Sequence, residues 1–249
     1  IFVDLALAQI AALGIATAVL FGADPDHGAF PQLLALAFTL AGAALFSLTR
    51  FRHPRVPHEA IIGIIYIVSA AASTLVLSRT AAGDEEIKNL LVGNLLLVSR
   101  DEVLRTLALY LAVGAFHFVL RRKFHLISFD ADQAEREGMN VRLWDFLFYA
   151  TFGLVVTSFV RIAGVYLVFS YLIVPAVCGA LLSARTATRL AIGWAVALSA
   201  GVAGLLLSTQ WESMDLPTGP TIVCTFGALL LLSGLLARGR RQRSPARAS

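Results

Sequence analysis

Residues 165–183, VYLVFSYLIVPAVCGALLS, form an apolar run of nineteen residues that contains no charged side chain. At a helical rise of 1.5 Å per residue the run is about 28 Å long, close to the ~30 Å thickness of the hydrocarbon core of a bilayer. The run therefore predicts a transmembrane helix. Pro175 near its middle removes one backbone hydrogen bond, so we expect a kink there and free carbonyl groups that can line a cavity.

Seven more runs of similar character follow one another along the chain. Hydrophobic residues make up 58% of the sequence and charged residues only 14%, whereas soluble domains hold roughly 45–50% and about 25%. A soluble fold of 249 residues cannot bury that much apolar surface, so we predict an all-α, polytopic transmembrane helical bundle of about eight spans. The other seven spans are 5–21, 30–49, 60–78, 103–120, 146–160, 190–208 and 221–237.

The distribution of lysine and arginine predicts the orientation. If the C-terminus is cytoplasmic, fifteen of the twenty basic residues lie on the cytoplasmic side, as the positive-inside rule requires. We therefore expect a multi-pass protein of the bacterial plasma (inner) membrane with both ends of the sequence in the cytoplasm. Because Ile1 opens directly into an apolar run, we expect an earlier span to precede it. The basic residues of 238–249 predict a disordered tail.

Two segments between spans have features of their own. Residues 81–102 contain an apolar centre that is too short to cross the bilayer, which suggests a re-entrant or interfacial helix. Residues 129–138, FDADQAEREG, carry the marks of a short helix with defined ends: Asp130 can cap it, Gln133 can reach back as in a capping box, and Gly138 suits the residue after its end. Such a short helix is marginal alone, so it is either a docking element or an ordinary capped loop.

Four stretches resemble, in order and spacing, the permeases of metal-type ABC importers, which take up zinc, manganese and iron. These permeases are related more distantly to those for siderophores and vitamins. The stretches are EAIIGI at 59–64, LISFD with Ala134, Gly138 and Val141 at 126–141, GVYLVFSYLIVPA at 164–176, and DLPTGPTIV at 215–223.

The resemblance implies a permease domain over 1–237 that works as a homodimer, with a cytoplasmic ATPase beneath it and an extracytoplasmic solute-binding protein above. Within it, 124–144 would be the cytoplasmic segment that couples to the ATPase. The coupling residues would be Phe129, Asp130, Ala134, Gly138 and Val141. The chain has no G-x-x-x-x-G-K-[ST] motif, so we expect a non-catalytic subunit whose partner hydrolyses ATP. Membrane lipid is an expected partner; a resident cofactor and nucleic acid are not.

The first span departs from the family pattern, and the departure concerns the cargo. Such permeases typically carry an Asp followed by Ser-His a few residues before a Gly; here Asp4 lies one residue from the expected position and Gln9 stands in place of the histidine. A carboxamide is a poor ligand for zinc or manganese. The cargo is thus a divalent metal, or alternatively a metal chelate or a small organic nutrient. An ion-coupled secondary transporter would need acids inside the spans, where only Asp4 and Asp145 are candidates.

The remaining pathway and gate candidates are few. His117 lies within a span, where a histidine indicates function by default, although a position so near the cytoplasmic end also suits the interface. Pro175 is a candidate because of its expected kink. Asp215 and Pro217 form a rigid turn before the last span, near the outer gate in the family or simply at a helix start. No set of side chains has the spacing of a closed metal site, and the metal ligands stay unassigned.

Overall fold

The protein is described by a computed structural model that covers residues 3–24, 29–49, 57–80, 83–93, 95–210 and 216–242, with the backbone alone for residues 58 and 239–242. Across these ranges every regular element is a helix, which confirms the predicted fold class. The helices are α1 (Val3–Leu20), α2 (Ala29–Thr49), α3 (His58–Leu77), α4 (Gly83–Val92), α5 (Arg100–Phe129), α6 (Ala131–Arg136), α7 (Val141–Leu182), α8 (Thr186–Gln210) and α9 (Thr218–Gln242).

Within the described ranges, seven helices are long and apolar enough to cross a membrane. Two of the eight predicted spans, 146–160 and 165–183, both lie in α7, which has 42 residues. A straight helix of that length would be about 63 Å long, twice the ~30 Å of a hydrocarbon core. The helical backbone is interrupted at Gly164, which divides α7 into two parts that are each close to the length of one span.

The interruption at Gly164 depends on a contact between two glycines. Gly164 has φ 75° and ψ 164°, and its backbone nitrogen lies against Gly93, which has φ 73°. A Cβ at either position would collide with backbone atoms of the other segment, and residues with a side chain rarely adopt this φ. The helix therefore runs through Arg161, Ile162 and Ala163, where the sequence predicted a connection, and breaks at one residue.

The chain divides into two compact units, 1–90 with 97–162 and 91–96 with 163–249. In the first unit α1 is the most enclosed of the long helices and packs against α2 and α3. Gly14 makes the contact with α2 possible, because a Cβ there would lie 2.5 Å from the Cα of Ala35. One turn earlier on α1, Ile10 contacts Gly42.

Hydroxyl groups connect α2 to the first part of α7. The Oγ1 atoms of Thr39 and Thr157 are 3.0 Å apart, and Ser47 donates a 2.6 Å hydrogen bond to the carbonyl oxygen of Arg142. Both hydroxyls are satisfied inside the helix bundle, where an unpaired polar group would be costly. Between them, Gly153 leaves room for the side chain of Thr39.

In the second unit, α8 and α9 pack closely through small residues. A Cβ at Gly204 would lie 2.6 Å from the Cα of Ile222, which is typical of tight helix contacts in membranes. On the neighbouring part of α7, the ring of Tyr171 meets Phe226 edge-on at a centroid distance of 4.8 Å. The backbone of α7 stays helical through Pro175.

Helix α5 is longer at both ends than the predicted span 103–120. It starts at Arg100 because Ser99 forms a complete capping box with Glu102. It continues to Phe129, into the segment predicted to begin at residue 124. Helix α9 likewise continues to Gln242, five residues into the predicted tail, since arginine and glutamine favour helices and positive charge suits a helix C-terminus. Residues 243–249 lie outside the described ranges.

Candidate coupling segment and pathway residues

The junction between α5 and α6 consists of one residue, Asp130. Its N–H donates a 2.8 Å hydrogen bond to the carbonyl oxygen of Leu126 and so completes the last turn of α5. Its carboxylate accepts a 2.9 Å hydrogen bond from the N–H of Gln133 and so caps α6. The predicted cap is thus present, and no loop separates the two helices.

The other half of the predicted capping box is wrong. The side chain of Gln133 does not return to the N–H of Asp130 but donates a 3.0 Å hydrogen bond to Oε1 of Glu137. The reason is that the N–H of Asp130 already donates to the carbonyl oxygen of Leu126 in α5. It is therefore not free to donate to the side chain of Gln133, as a capping box requires.

The end of α6 is a Schellman motif centred on Gly138. Gly138 has φ 79° and its N–H donates to the carbonyl oxygen of Glu135 at 3.0 Å, while the N–H of Met139 donates to Ala134 at 3.0 Å. These are the two bonds that define the motif, and they require a left-handed residue, which glycine provides without strain. The sequence prediction for Gly138 is confirmed.

A small apolar core holds α6 between α5 and α7. Ile127, Ala134 and Val141 are buried in it, and Leu126, Met139 and Trp144 pack around them. Ala134 is fully enclosed. Two of the predicted coupling residues, Ala134 and Val141, therefore fix the segment internally, and they do not form its outer surface.

The outer surface of the segment combines one aromatic ring with acidic groups. Phe129 is 80% exposed and stacks on His125 at a centroid distance of 4.4 Å. On the outer face of α6, the side chains of Asp132, Glu135 and Glu137 are exposed together with Arg136. An exposed aromatic ring held in place by a neighbour is the kind of residue that anchors protein interfaces.

Sequence reasoning missed the residue that starts α7. The carboxamide of Asn140 accepts a 3.2 Å hydrogen bond from the N–H of Leu143, which is an N-cap contact. An asparagine directly before the next apolar run was the signal that could have indicated it. Consequently each of the three helices that meet here has an end fixed by Asp130, Gly138 or Asn140.

The two pathway candidates on α1 do not form one site. Asp4 is half-buried and accepts a 3.0 Å hydrogen bond from the N–H of Leu5. Gln9 is only 6% exposed, and among the described residues its carboxamide has no hydrogen-bond partner. Five positions of a helix correspond to about 140° of rotation, so these side chains point in different directions.

His117 belongs to an aromatic cluster. Its ring stacks on Phe124 at 4.8 Å and meets Phe148 edge-on at 5.8 Å. Nδ1 lies 2.9 Å from the carbonyl oxygen of Val113 and therefore carries the proton, because a carbonyl can only accept. Nε2 lies 3.4 Å from Oγ1 of Thr151. This packing fixes the ring between α5 and α7.

The other candidates are separate from these. Pro175 lines an apolar cavity of about 830 Å³ within the second unit. Pro217 precedes α9, and its carbonyl oxygen accepts hydrogen bonds from the N–H (3.1 Å) and hydroxyl (2.8 Å) of Thr221. Asp215 lies outside the described residues. In the part of the chain that the structure describes, no three His, Cys, Asp or Glu side chains converge as a metal site would require.

The helices define the class of the protein as a polytopic α-helical membrane protein. The sequence pattern of the family described as "ABC 3 transport family" matches residues 1–237, and the chain belongs to this family. The resemblance to metal-type ABC importer permeases, drawn from four short motifs, is thereby confirmed.

Two bacterial manganese transport proteins are similar to the chain, with 25% and 28% identity over the aligned residues. It is 25% identical over 182 residues to the manganese transport system membrane protein MntC of Halalkalibacterium halodurans, covering 73% of this chain and 61% of the relative. It is 28% identical over 198 residues to the manganese transport system membrane protein MntB of Synechocystis sp., covering 76% and 63%. The matches therefore span less than two thirds of these relatives.

A solved structure supports the fold. The chain superimposes with a TM-score of 0.72 on a structure described as PsaBC from Streptococcus pneumoniae in complex with Fab. The match covers 93% of this chain and 80% of that one, at 22% sequence identity. Identity at this level supports the arrangement of helices and not the cargo.

Proposed function

We propose that this chain is the permease subunit of an ATP-driven importer for a divalent metal ion, zinc, manganese or iron, in a bacterial plasma membrane. The observation that carries the proposal is the cytoplasmic segment 124–144, a short helix with both ends capped, its own small core and an exposed Phe129. A six-residue helix is too short to be stable by itself. Its elaborate fixation is best explained by a docking role, and membership of the ABC 3 transport family agrees with that role.

In this proposal a cytoplasmic ATPase binds α6 and supplies the energy, while the permease itself performs no catalysis. Phe129 enters an apolar pocket of the ATPase, and the acidic face of α6 meets basic side chains around that pocket. Asp130, Ala134, Gly138 and Val141 act as positioning residues, because they shape the segment. A second copy of the permease completes the translocation path, and an extracytoplasmic solute-binding protein delivers the cargo.

We propose the orientation that the positive-inside rule favours, with 124–144 and both ends of the sequence in the cytoplasm. Two contacts support the position of this end of the α5–α7 pair at a membrane surface. Arg121 lies over the ring of Phe118 at 4.4 Å, and Lys123 lies over Trp144 at 5.1 Å. Aromatic rings with adjoining cations are typical of the membrane–water interface.

Gln9 favours a second candidate for the cargo, with the architecture unchanged. A buried carboxamide without a hydrogen-bond partner among the described residues suits a polar group of a metal chelate or of a small organic nutrient better than a bare zinc or manganese ion. The manganese relatives named above favour the ion. Uptake assays decide between these cargoes.

To test the coupling role, the permease is co-expressed with a candidate ABC ATPase from the same organism, purified and reconstituted. We expect Phe129→Ala to lower the amount of bound ATPase about tenfold or more, since a buried aromatic anchor contributes ~2 kcal/mol or more. Phe21→Ala is the matched control. Phe21 follows the end of α1, its ring is similarly exposed, and the proposed orientation places it on the opposite side of the membrane from Phe129. If Phe129→Ala retains full binding and ATP-driven transport, 124–144 does not couple the two proteins.

The cargo is tested with the same reconstituted complex and its solute-binding protein. Uptake of manganese, zinc and iron is measured with and without a chelating carrier. ATP-dependent uptake of a bare ion supports the first candidate, and uptake of the chelate alone supports the second. If no metal is taken up while the ATPase still binds, the result would exclude a metal cargo and would favour a small organic nutrient.

A further inference from the structure

The first unit contains a second cavity that the proposed function does not use. It measures about 600 Å³ and opens where α2 and α5 begin. Residues from α1, α2, α5 and the first part of α7 line it, so it lies within one unit. Its polar lining consists of Gln32, Glu102, Arg105, Thr106, Thr157, Ser158 and Arg161.

The charged groups of this cavity leave one positive charge without a partner. Nη2 of Arg161 donates a 2.8 Å hydrogen bond to Oε1 of Glu102, so these two charges neutralise each other. Arg105, one turn further along α5, lines the same cavity, and it forms no ion pair or hydrogen bond with any described residue. The first turn of α2, which contributes to the lining, adds partial positive charge from its helix dipole, whereas Asp101 and Glu102 offset that charge at the start of α5. The cavity therefore favours an anion.

One part of the cavity wall is apolar. Ile15, Leu36, Leu109 and Leu154 form it, and on the outer surface of α5 next to it the side chains of Leu104 and Leu107 are exposed. A small inorganic anion would gain nothing from this wall. A molecule with an anionic head and a hydrocarbon chain would contact both parts.

We propose that this cavity binds the phosphate group of an anionic phospholipid, with Arg105 and the hydroxyl of Thr106 holding the head and an acyl chain lying along the apolar wall. A phosphate group is also present in soluble phosphate and phosphate esters, which share the chemistry of the head but lack the chain. The orientation proposed above would place the site in the outer leaflet.

The experiment measures phosphatidylglycerol binding to the purified, detergent-solubilised permease by native mass spectrometry. We expect Arg105→Gln to weaken binding about tenfold, the usual effect of removing one charge-assisted contact. Arg100→Gln is the matched control: Arg100 lies exposed on the same helix, outside the cavity, and its loss should change binding by less than about twofold. Thr106→Trp keeps both arginines and fills the cavity, and should abolish binding.

Two further arms distinguish the source of the phosphate and the role of charge. Inorganic phosphate and glycerol phosphate should fail to displace phosphatidylglycerol, and phosphatidylethanolamine should bind more weakly. Equal losses for Arg105→Gln and Arg100→Gln would overturn the proposal, as would full binding by Thr106→Trp. Displacement by free phosphate at matched concentration would show a site for a soluble anion and would overturn the lipid assignment.

Discussion

Nη2 of Arg161 and Oε1 of Glu102 are 2.8 Å apart, and this contact joins the start of α5 to α7 three residues before its break at Gly164. Glu102 also accepts hydrogen bonds from the N–H (3.0 Å) and the hydroxyl (3.1 Å) of Ser99. One carboxylate thus caps a helix and pairs with a second helix. Its loss should affect the protein more than the loss of its arginine partner.

We expect Glu102→Ala to lower the free energy of unfolding by about 1–2 kcal/mol, because it removes the carboxylate half of the capping box together with the ion pair, while the backbone N–H of residue 102 still donates to Ser99. Arg161→Ala should cost less than about 1 kcal/mol, since the pair is partly exposed to solvent. Thermal unfolding in detergent provides the measurement, with Arg105→Ala as the control for loss of a nearby unpaired arginine. A larger effect of Arg161→Ala than of Glu102→Ala would contradict this division of roles.

Gly138→Ala should loosen α6 without creating a steric clash. No atom lies within 4 Å of a Cβ at this position, so the cost is that of a positive φ, about 1–2 kcal/mol. Hydrogen exchange of the amides in 131–137 should accelerate about five- to thirtyfold. Gly138→Asn should exchange more slowly than Gly138→Ala, because asparagine tolerates this conformation.

The matched control for Gly138 is Gly114→Ala. Gly114 lies inside α5, also has no atom within 4 Å of a Cβ and is not among the glycines with positive φ. Alanine should stabilise that helix by up to about 1 kcal/mol. If both substitutions change exchange in 131–137 equally, the left-handed backbone of Gly138 is not the cause.

Gly14→Ala should separate α1 from α2. The new Cβ would meet the Cα and the backbone nitrogen of Ala35 at 2.5 and 2.9 Å, and backbone atoms cannot rotate out of the way. We expect a loss of about 1–3 kcal/mol in stability, measured by thermal unfolding. Gly63→Ala on α3 is the control, because nothing lies within 4 Å of a Cβ there; an equal loss would show that helix packing is not responsible.

The proposed orientation predicts opposite labelling of two exposed positions. In a variant with Cys178 and Cys224 replaced by alanine, Lys88→Cys should react with a membrane-impermeant maleimide on intact cells. Glu137→Cys should react only after the membrane is opened. Both positions are exposed in the structure, so accessibility of the side chain itself does not limit the reaction. The reverse pattern would invert the topology.

The sequence was most informative at positions where only a few residue types fit the local backbone. Asp130 and Gly138 predicted the ends of α6 correctly, because few residues can cap a helix or adopt a positive φ there. The role of Gln133 was wrong because its intended donor already belonged to α5, and that depends on how far α5 extends. Hydropathy did not predict the ends of α5, because it detects only the apolar residues inside the bilayer, and α5 continues beyond them at both ends.

Tertiary contacts explain most of the remaining differences. The Ser99–Glu102 capping box could have been found from the pattern of Ser followed three residues later by Glu. The break at Gly164 instead depends on Gly93, about seventy residues earlier in the sequence, which no local pattern shows. The enclosure of His117 by Phe124 and Phe148 is equally a product of the fold. The burial of Ala134 follows from how α6 lies between its neighbours.

The single-residue junction at Asp130 has a mechanical consequence. If α6 is the docking element proposed above, a displacement of α6 would move α5 directly, because only Asp130 separates the two helices and α5 is a helix of 30 residues, about 45 Å long. Tilting such a rod by about 5° moves its far end by about 4 Å, comparable to the pitch of one helical turn. That far end is the site of the Glu102–Arg161 contact. A push on one face of the membrane would thus be converted into a lateral shift on the other.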